Sequence, residues 1–226
     1  MAESLCIEST SQSGENRPYI LLCVEGSFGR SVARDLQSYS FEVSEVCIDG
    51  ATTVAEIPVA STDIVVLISS KPLPSICRDL DGMASIGAFT FLAVTLYGNC
   101  IQVGPLVRRS CECCWTCFQT RLTDRLGNSD VRKTIANYYE NSGASGPQGF
   151  LRPFSILSAA RLAQVLYDLD MTTNRHEVWQ LSFDSGTTEV GSPLGLHGCS
   201  RCGMKRVEKT RTVDLLSSLV NHRAID

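Results

Sequence analysis

Basic charge, histidine and long apolar runs are all scarce in this chain of 226 residues. Lys and Arg number 20 against 24 Asp and Glu, a formal net charge of −4, which excludes phosphate-driven nucleic-acid binding as the main activity. The opening residues, MAESLCIESTSQSGENR, carry neither a basic n-region nor an apolar h-region, so no signal peptide is read there. The longest apolar stretch, Ile86 to Val94, is interrupted by Gly and Thr and is too short to span a membrane. The three histidines, His176, His197 and His222, are isolated in the sequence and read as surface or loop residues, with His197 alone near enough to a cysteine pair to support one. No catalytic residue is identified.

Cysteine, by contrast, is abundant, at 11 residues. An odd count argues against a complete disulfide framework, and with no signal peptide it favours reduced thiols and a metal site in the cytoplasm. The remaining composition, 43% hydrophobic and 19% charged, is that of an ordinary globular chain.

Residues 1–17 are polar and read as a flexible tail. Apolar runs follow at Tyr19–Val24, Phe41–Ile48, Ser61–Ile68, Phe89–Leu96 and Cys100–Val103, and helical patterns at Ser31–Tyr39 and Pro74–Ile86 separate some of them. This alternation predicts an α/β fold with a right-handed, mainly parallel sheet. Residues 118–139 read as helical and 141–149 as a loop. Phe154–Leu169 is an amphipathic helix, and two short strands, Glu177–Phe183 and Thr187–Val190, flank a turn. The apolar stripe of that helix (Leu157, Leu162, Val165, Leu166, Leu169) either packs on the chain's own sheet or contributes to an interface. Residues 204–226 form a closing polar segment.

Two C-x-x-C pairs stand about eighty residues apart, and a tetrahedral zinc ion takes four such thiolates. The second pair is Cys199 and Cys202, followed by Gly203, whose freedom at positive φ suits a knuckle turn. The first is Cys114 with Cys117, or Cys111 with Cys114, with Cys113 spare. With all four positions filled by protein, such an ion is structural. Between the first strand and helix, Gly26 and Gly29 lie where a phosphate loop would sit, and Asp49 ends the second strand where an acid could hold a ribose hydroxyl. Glu25 is electrostatically wrong for a phosphate neighbour, although Arg30 and Arg34 partly offset it. The glycines also suit close packing of helix on strand.

Together these residues resemble the ThiF-like superfamily of ubiquitin-activating enzymes, and in particular the zinc-binding partner subunits of cyclodehydratases that make thiazole/oxazole-modified peptides. The Gly26/Gly29 loop, the strand ending at Asp49, the Gly104-Pro-Leu-Val107 block and the two C-x-x-C pairs carry the likeness over about residues 18–203. It aligns Cys114 and Cys117 as the first pair of ligands, beside Cys199 and Cys202. Adenylating members place an Asn…Arg-Gln segment beyond the acid of strand two and an Asp after strand three. Here Gly-Ala-Thr-Thr-Val-Ala follows Asp49, and Ser69-Ser-Lys71 stands at the second position. The resemblance therefore implies a vestigial nucleotide site (Gly26, Gly29, Asp49), structural zinc, and a subunit that is not catalytic alone. ATP chemistry would fall to a YcaO-type partner acting on a precursor peptide. A Rossmann-like sheet in a domain spanning residues 18–203, and pairing through that α/β domain as a homodimer or a pseudo-symmetric heterodimer, are further expectations of the resemblance. With that domain starting near residue 18, no leader-binding winged helix is expected before it. The alternative is an ATP-dependent adenylating enzyme acting on a peptide or sulfur-carrier C-terminus.

Overall fold

The computed structural model describes residues 18–49, 52–109, 111–125, 129–142, 146–147, 149–169 and 177–203. The expected tail, the closing segment, His176 and His222 lie outside the described residues, as does part of the 141–149 loop. In chain order the elements are β1 (Ile20–Glu25), α1 (Gly26–Leu36), β2 (Val43–Ile48), β3 (Ile64–Ser69), α2 (Pro74–Ile86), β4 (Thr90–Tyr97) and β5 (Cys100–Val107). Then come α3 (Trp115–Arg125), α4 (Ser129–Ser142), α5 (Arg152–Asp168), β6 (Val178–Ser182) and β7 (Thr187–Gly191). The helix expected from Ser31 begins at Gly26, directly off the end of β1, and of the stretch read as helical 118–125 fall in α3 and 129–139 in α4.

The strands form one sheet in the order β2-β1-β3-β4-β5-β6-β7. The first four run parallel, as expected. The other three are added antiparallel, so the sheet is mixed. The physical reason is length: only Gly98 and Asn99 separate β4 from β5, enough for a hairpin and far too little for a crossover. Gly104 in β5 has φ +104°, and a Cβ there would lie 2.6 Å from the Glu177 carbonyl oxygen, so β6 can approach only a glycine at this point.

β1 and β3 are buried along their whole length because both sheet faces are covered. On one face, Leu22, Val24, Val66 and Val94 pack against Phe28 and Val32 of α1 and Leu162 and Leu166 of α5. On the other, Leu21, Leu67, Phe91 and Val107 meet Ile76, Leu80 and Ala84 of α2 and Trp115 at the start of α3. The α5 stripe is thus largely consumed by the core. Leu162 and Leu166 are buried, Val165 and Leu169 lean on the same cluster, and Leu157 remains partly exposed. Strand order reverses around β1, which opens a crevice at the carboxyl ends of β1 and β3.

Candidate metal centre and adjoining cavities

Cys114 immediately precedes α3 and Cys117 lies in its first turn, so a helix start sets one knuckle. Cys199 and Cys202 follow β7 in a turn closed by the Gly203 N–H donating to the Cys199 carbonyl at 2.8 Å. The four sulfurs lie within 4.8 Å of one another. Cys114 and Cys199 Sγ are 3.8 Å apart, and Cys117 and Cys202 Sγ 3.5 Å. A tetrahedron of Zn–S bonds of about 2.3 Å has edges of about 3.8 Å, so donor type and spacing both fit a zinc ion.

Of the two possible first pairs, it is Cys114 and Cys117 that face the second. The Cys113 thiol shares their apolar pocket but donates to the Cys114 carbonyl at 3.4 Å, and Cys111 packs with α2. The positive φ expected of Gly203 falls instead on Gly198, at +87°. Gly203 is needed for closeness, since a Cβ there would sit 3.3 Å from the Gly198 nitrogen. His197 is exposed on the same turn.

The thiols differ in acidity. Burial raises Cys199, but hydrogen bonds from the Cys202 and Arg201 backbone and from the Cys117 and Cys114 thiols outweigh it and bring the group down to about 6. Burial pushes Cys117 up to about 11, and Cys114 is raised by burial and by the neighbouring Asp81 carboxylate.

The sequence reading missed what anchors this cluster to the sheet. Asp81 of α2 is completely buried and accepts from the backbone N–H groups of Trp115 (2.9 Å) and Thr116 (3.3 Å) and from the Thr116 hydroxyl (2.8 Å). It thereby caps α3 from outside, an anion against the positive end of that helix. Arg201, between the two C-terminal cysteines, donates to Asp81 Oδ2 at 2.7 Å and to the Arg78 carbonyl at 2.9 Å. The signal was present: Asp81 lies on the buried stripe of α2 with Cys77, Leu80 and Ala84, where an acid is anomalous.

A second arrangement fills the strand-end crevice. A cavity of about 250 Å³ is lined by Gly26, Asp49, Arg30 and Lys71 among others, so Gly26 and Asp49 do meet, but Gly29 is not among its walls. A Cβ on Gly29 would lie 2.9 Å from the Ile68 carbonyl oxygen and 3.2 Å from Val24 Cβ, so this glycine serves close packing of α1 on β1 and β3. At the start of α1, where phosphates would approach, stands the buried Glu25 carboxylate. It is paired with buried Lys71 at 3.7 Å and accepts from the Ser69 hydroxyl and the Ser70 N–H. Gly146 closes over it so tightly that a Cβ would meet Ser70 Oγ at 3.0 Å. Asp49 turns its Oδ1 to the N–H and hydroxyl of Thr52.

A larger cavity, about 770 Å³, adjoins the first through Ser70, Lys71 and Pro147 and is bounded by the ends of β3 and β4 and by α2, α3 and α4.

No protein-family model and no curated protein matches the sequence. Solved structures do match in fold. The heterocyclase TruD superposes over 83% of this chain with a TM-score of 0.59 at 15% identity, and the E. coli microcin synthetase McbBCD complex over 84% with 0.59 at 10%. E. coli MccB superposes over 86% with a TM-score of 0.55 at 13% identity. The matched region is 28% of the TruD chain, 70% of the McbBCD chain and 67% of MccB, so this chain spans little more than a quarter of the heterocyclase. The chain therefore has the α/β fold found in the heterocyclase TruD and in the microcin synthetase McbBCD, with four cysteines gathered where they could hold a metal ion.

Proposed function

We propose that this chain is a non-catalytic, zinc-stapled ThiF-like subunit of a cytoplasmic cyclodehydratase complex. The complex would form azoline heterocycles in a ribosomally made peptide, with ATP used by a YcaO-type partner. The observation that carries this reading is the buried Glu25–Lys71 pair at the N-terminus of α1. Lys71 is thereby matched by a carboxylate instead of being offered to a phosphate, and Arg30 lines the crevice against Asp49, so its lining carries no net positive charge and what remains useful is the scaffold and its surfaces. The fold shared with TruD and with McbBCD, the latter also seen with pro-MccB17 bound, supports a peptide-modifying setting. The four thiols would hold one zinc and supply stability, since no coordination position is left for a substrate. The test is co-purification of the tagged full chain with a YcaO-type protein and a precursor peptide, and no association with either would refute it.

The alternative, an adenylating enzyme acting on a peptide or sulfur-carrier C-terminus, draws on the shared lining of Gly26 and Asp49 and on the fold of MccB, which is also seen with MccA. ATP–pyrophosphate exchange by the purified chain separates the two readings.

A further inference from the structure

The two edges of α3 serve different neighbours. One edge, Cys114, Cys117, Phe118 and Leu122, packs in a cluster with Cys202, Leu196 and Val178. The other, Thr116, Gln119, Thr120 and Thr123, is spaced three and four apart and lines the cavity of about 770 Å³. The metal cluster and the cavity wall are therefore opposite sides of one helix. Asp81 fixes the first turn of that helix through Trp115 and Thr116, but of residues 119–124 none is buried. Helical turns with so little burial open readily unless something else holds them.

What holds them is the segment 195–203, which contains neither a strand nor an α-helix and lies over α3 as a strap. The Arg121 guanidinium of α3 donates to the Gly195 carbonyl at 3.2 Å. Leu196 belongs to the same apolar cluster as Leu122. Arg201 Nη1 lies 3.1 Å from the Thr116 hydroxyl and 2.9 Å from the Arg78 carbonyl, and both of those residues line the cavity. The remaining ties are the thiols themselves, Cys199 beside Cys114 and Cys202 beside Cys117.

We propose that the cysteine centre is the latch of this cavity wall. With an ion held, residues 195–203 fasten the outer turns of α3; without it, the strap and those turns come away while the sheet stays folded. The proposal rests on the zinc reading above and not on the cyclodehydratase role. Because the four ligands come from both segments, an ion binds the fastened state alone and shifts the equilibrium toward it. By linkage, any occupant of the cavity that needs the α3 wall tightens zinc binding by the same factor by which zinc tightens its own.

The test is hydrogen–deuterium exchange of the full, reduced chain, loaded with zinc and after treatment with EDTA. Amides of 119–124 and 195–203 should exchange roughly tenfold faster after EDTA, while β1 and β3 keep their protection. Arg121→Ala and Arg201→Ala leave all four thiols in place. Each should nonetheless speed exchange of 119–124 in the zinc-loaded chain. Each should also weaken zinc, titrated against a chromophoric chelator, by roughly threefold to tenfold. Equal exchange of α3 with and without zinc, loss of protection in β1 and β3 together with α3, or a zinc affinity indifferent to Arg121→Ala would overturn the latch. A chain that takes up no zinc overturns the centre and the latch together, whereas one that holds zinc with an unmoved α3 overturns the latch alone.

Discussion

Replacing Asp81 tests whether the metal cluster is fastened to the sheet through one buried carboxylate. Asp81→Ala removes the acceptor of four hydrogen bonds, from Trp115 N–H, Thr116 N–H, the Thr116 hydroxyl and the Arg201 guanidinium. Two orphaned helix N-terminal N–H groups and a guanidinium, only 33% exposed, are left behind. Losing one partner of a buried charge pair costs about 3–5 kcal/mol, and the orphaned amides lie inside that figure rather than adding to it. Asp81→Asn keeps the shape and one acceptor oxygen but turns an amide N–H₂ toward existing donors, for a loss of about 2–3 kcal/mol. Urea unfolding of the full chain at neutral pH should therefore rank wild type above Asn above Ala, with m unchanged. In a double-mutant cycle with Arg201→Ala, the two losses should be non-additive by about 1–3 kcal/mol. An Asp81→Asn variant within about 0.5 kcal/mol of wild type, or strict additivity in the cycle, would show that the carboxylate does not tie the cysteine turn to α2 and α3.

Metal analysis of the reduced protein should give one zinc per chain, lost in Cys199→Ser together with stability of the cysteine-bearing segments; a metal-free wild type would refute the centre. Gly29→Ala should destabilise by about 1–3 kcal/mol, because its Cβ would press on the Ile68 carbonyl at 2.9 Å, and a neutral result in thermal melting would contradict the packing. Burial pushes the Cys23 thiol from 9.0 up to about 12, so its contribution is fully present below pH 9 and is lost as pH rises toward 12. Cys23→Ala should flatten that alkaline fall in urea midpoint, even though it lowers stability at neutral pH. The purified chain should show no ATP–pyrophosphate exchange, and exchange abolished by Asp49→Ala would favour the adenylating reading. Light scattering of the chain, alone and mixed with its partner, should reveal a dimer or a complex; a monomer in both samples counts against a subunit role.

Periodicity alone was enough for β1, β3, β4 and α2, since strands buried on both faces and a helix led by proline leave local marks that tertiary contacts only reinforce. The two C-x-x-C pairs were legible for a similar reason: each turn is a local geometry, and four soft ligands have few other uses. Which cysteines face one another was not local. Cys111 with Cys114 and Cys114 with Cys117 are equivalent by spacing, and the start of α3 at Trp115, fixed by Asp81 from another helix, turns Cys114 and Cys117 toward Cys199 and Cys202. The nucleotide question divided in the same way. The sequence placed Glu25 beside the glycines, but that it is buried, paired with Lys71 and roofed by Gly146 depends on groups 46 and 121 positions further along the chain. Pairing a buried charge and filling a crevice are energies between distant segments, and no local pattern encodes them.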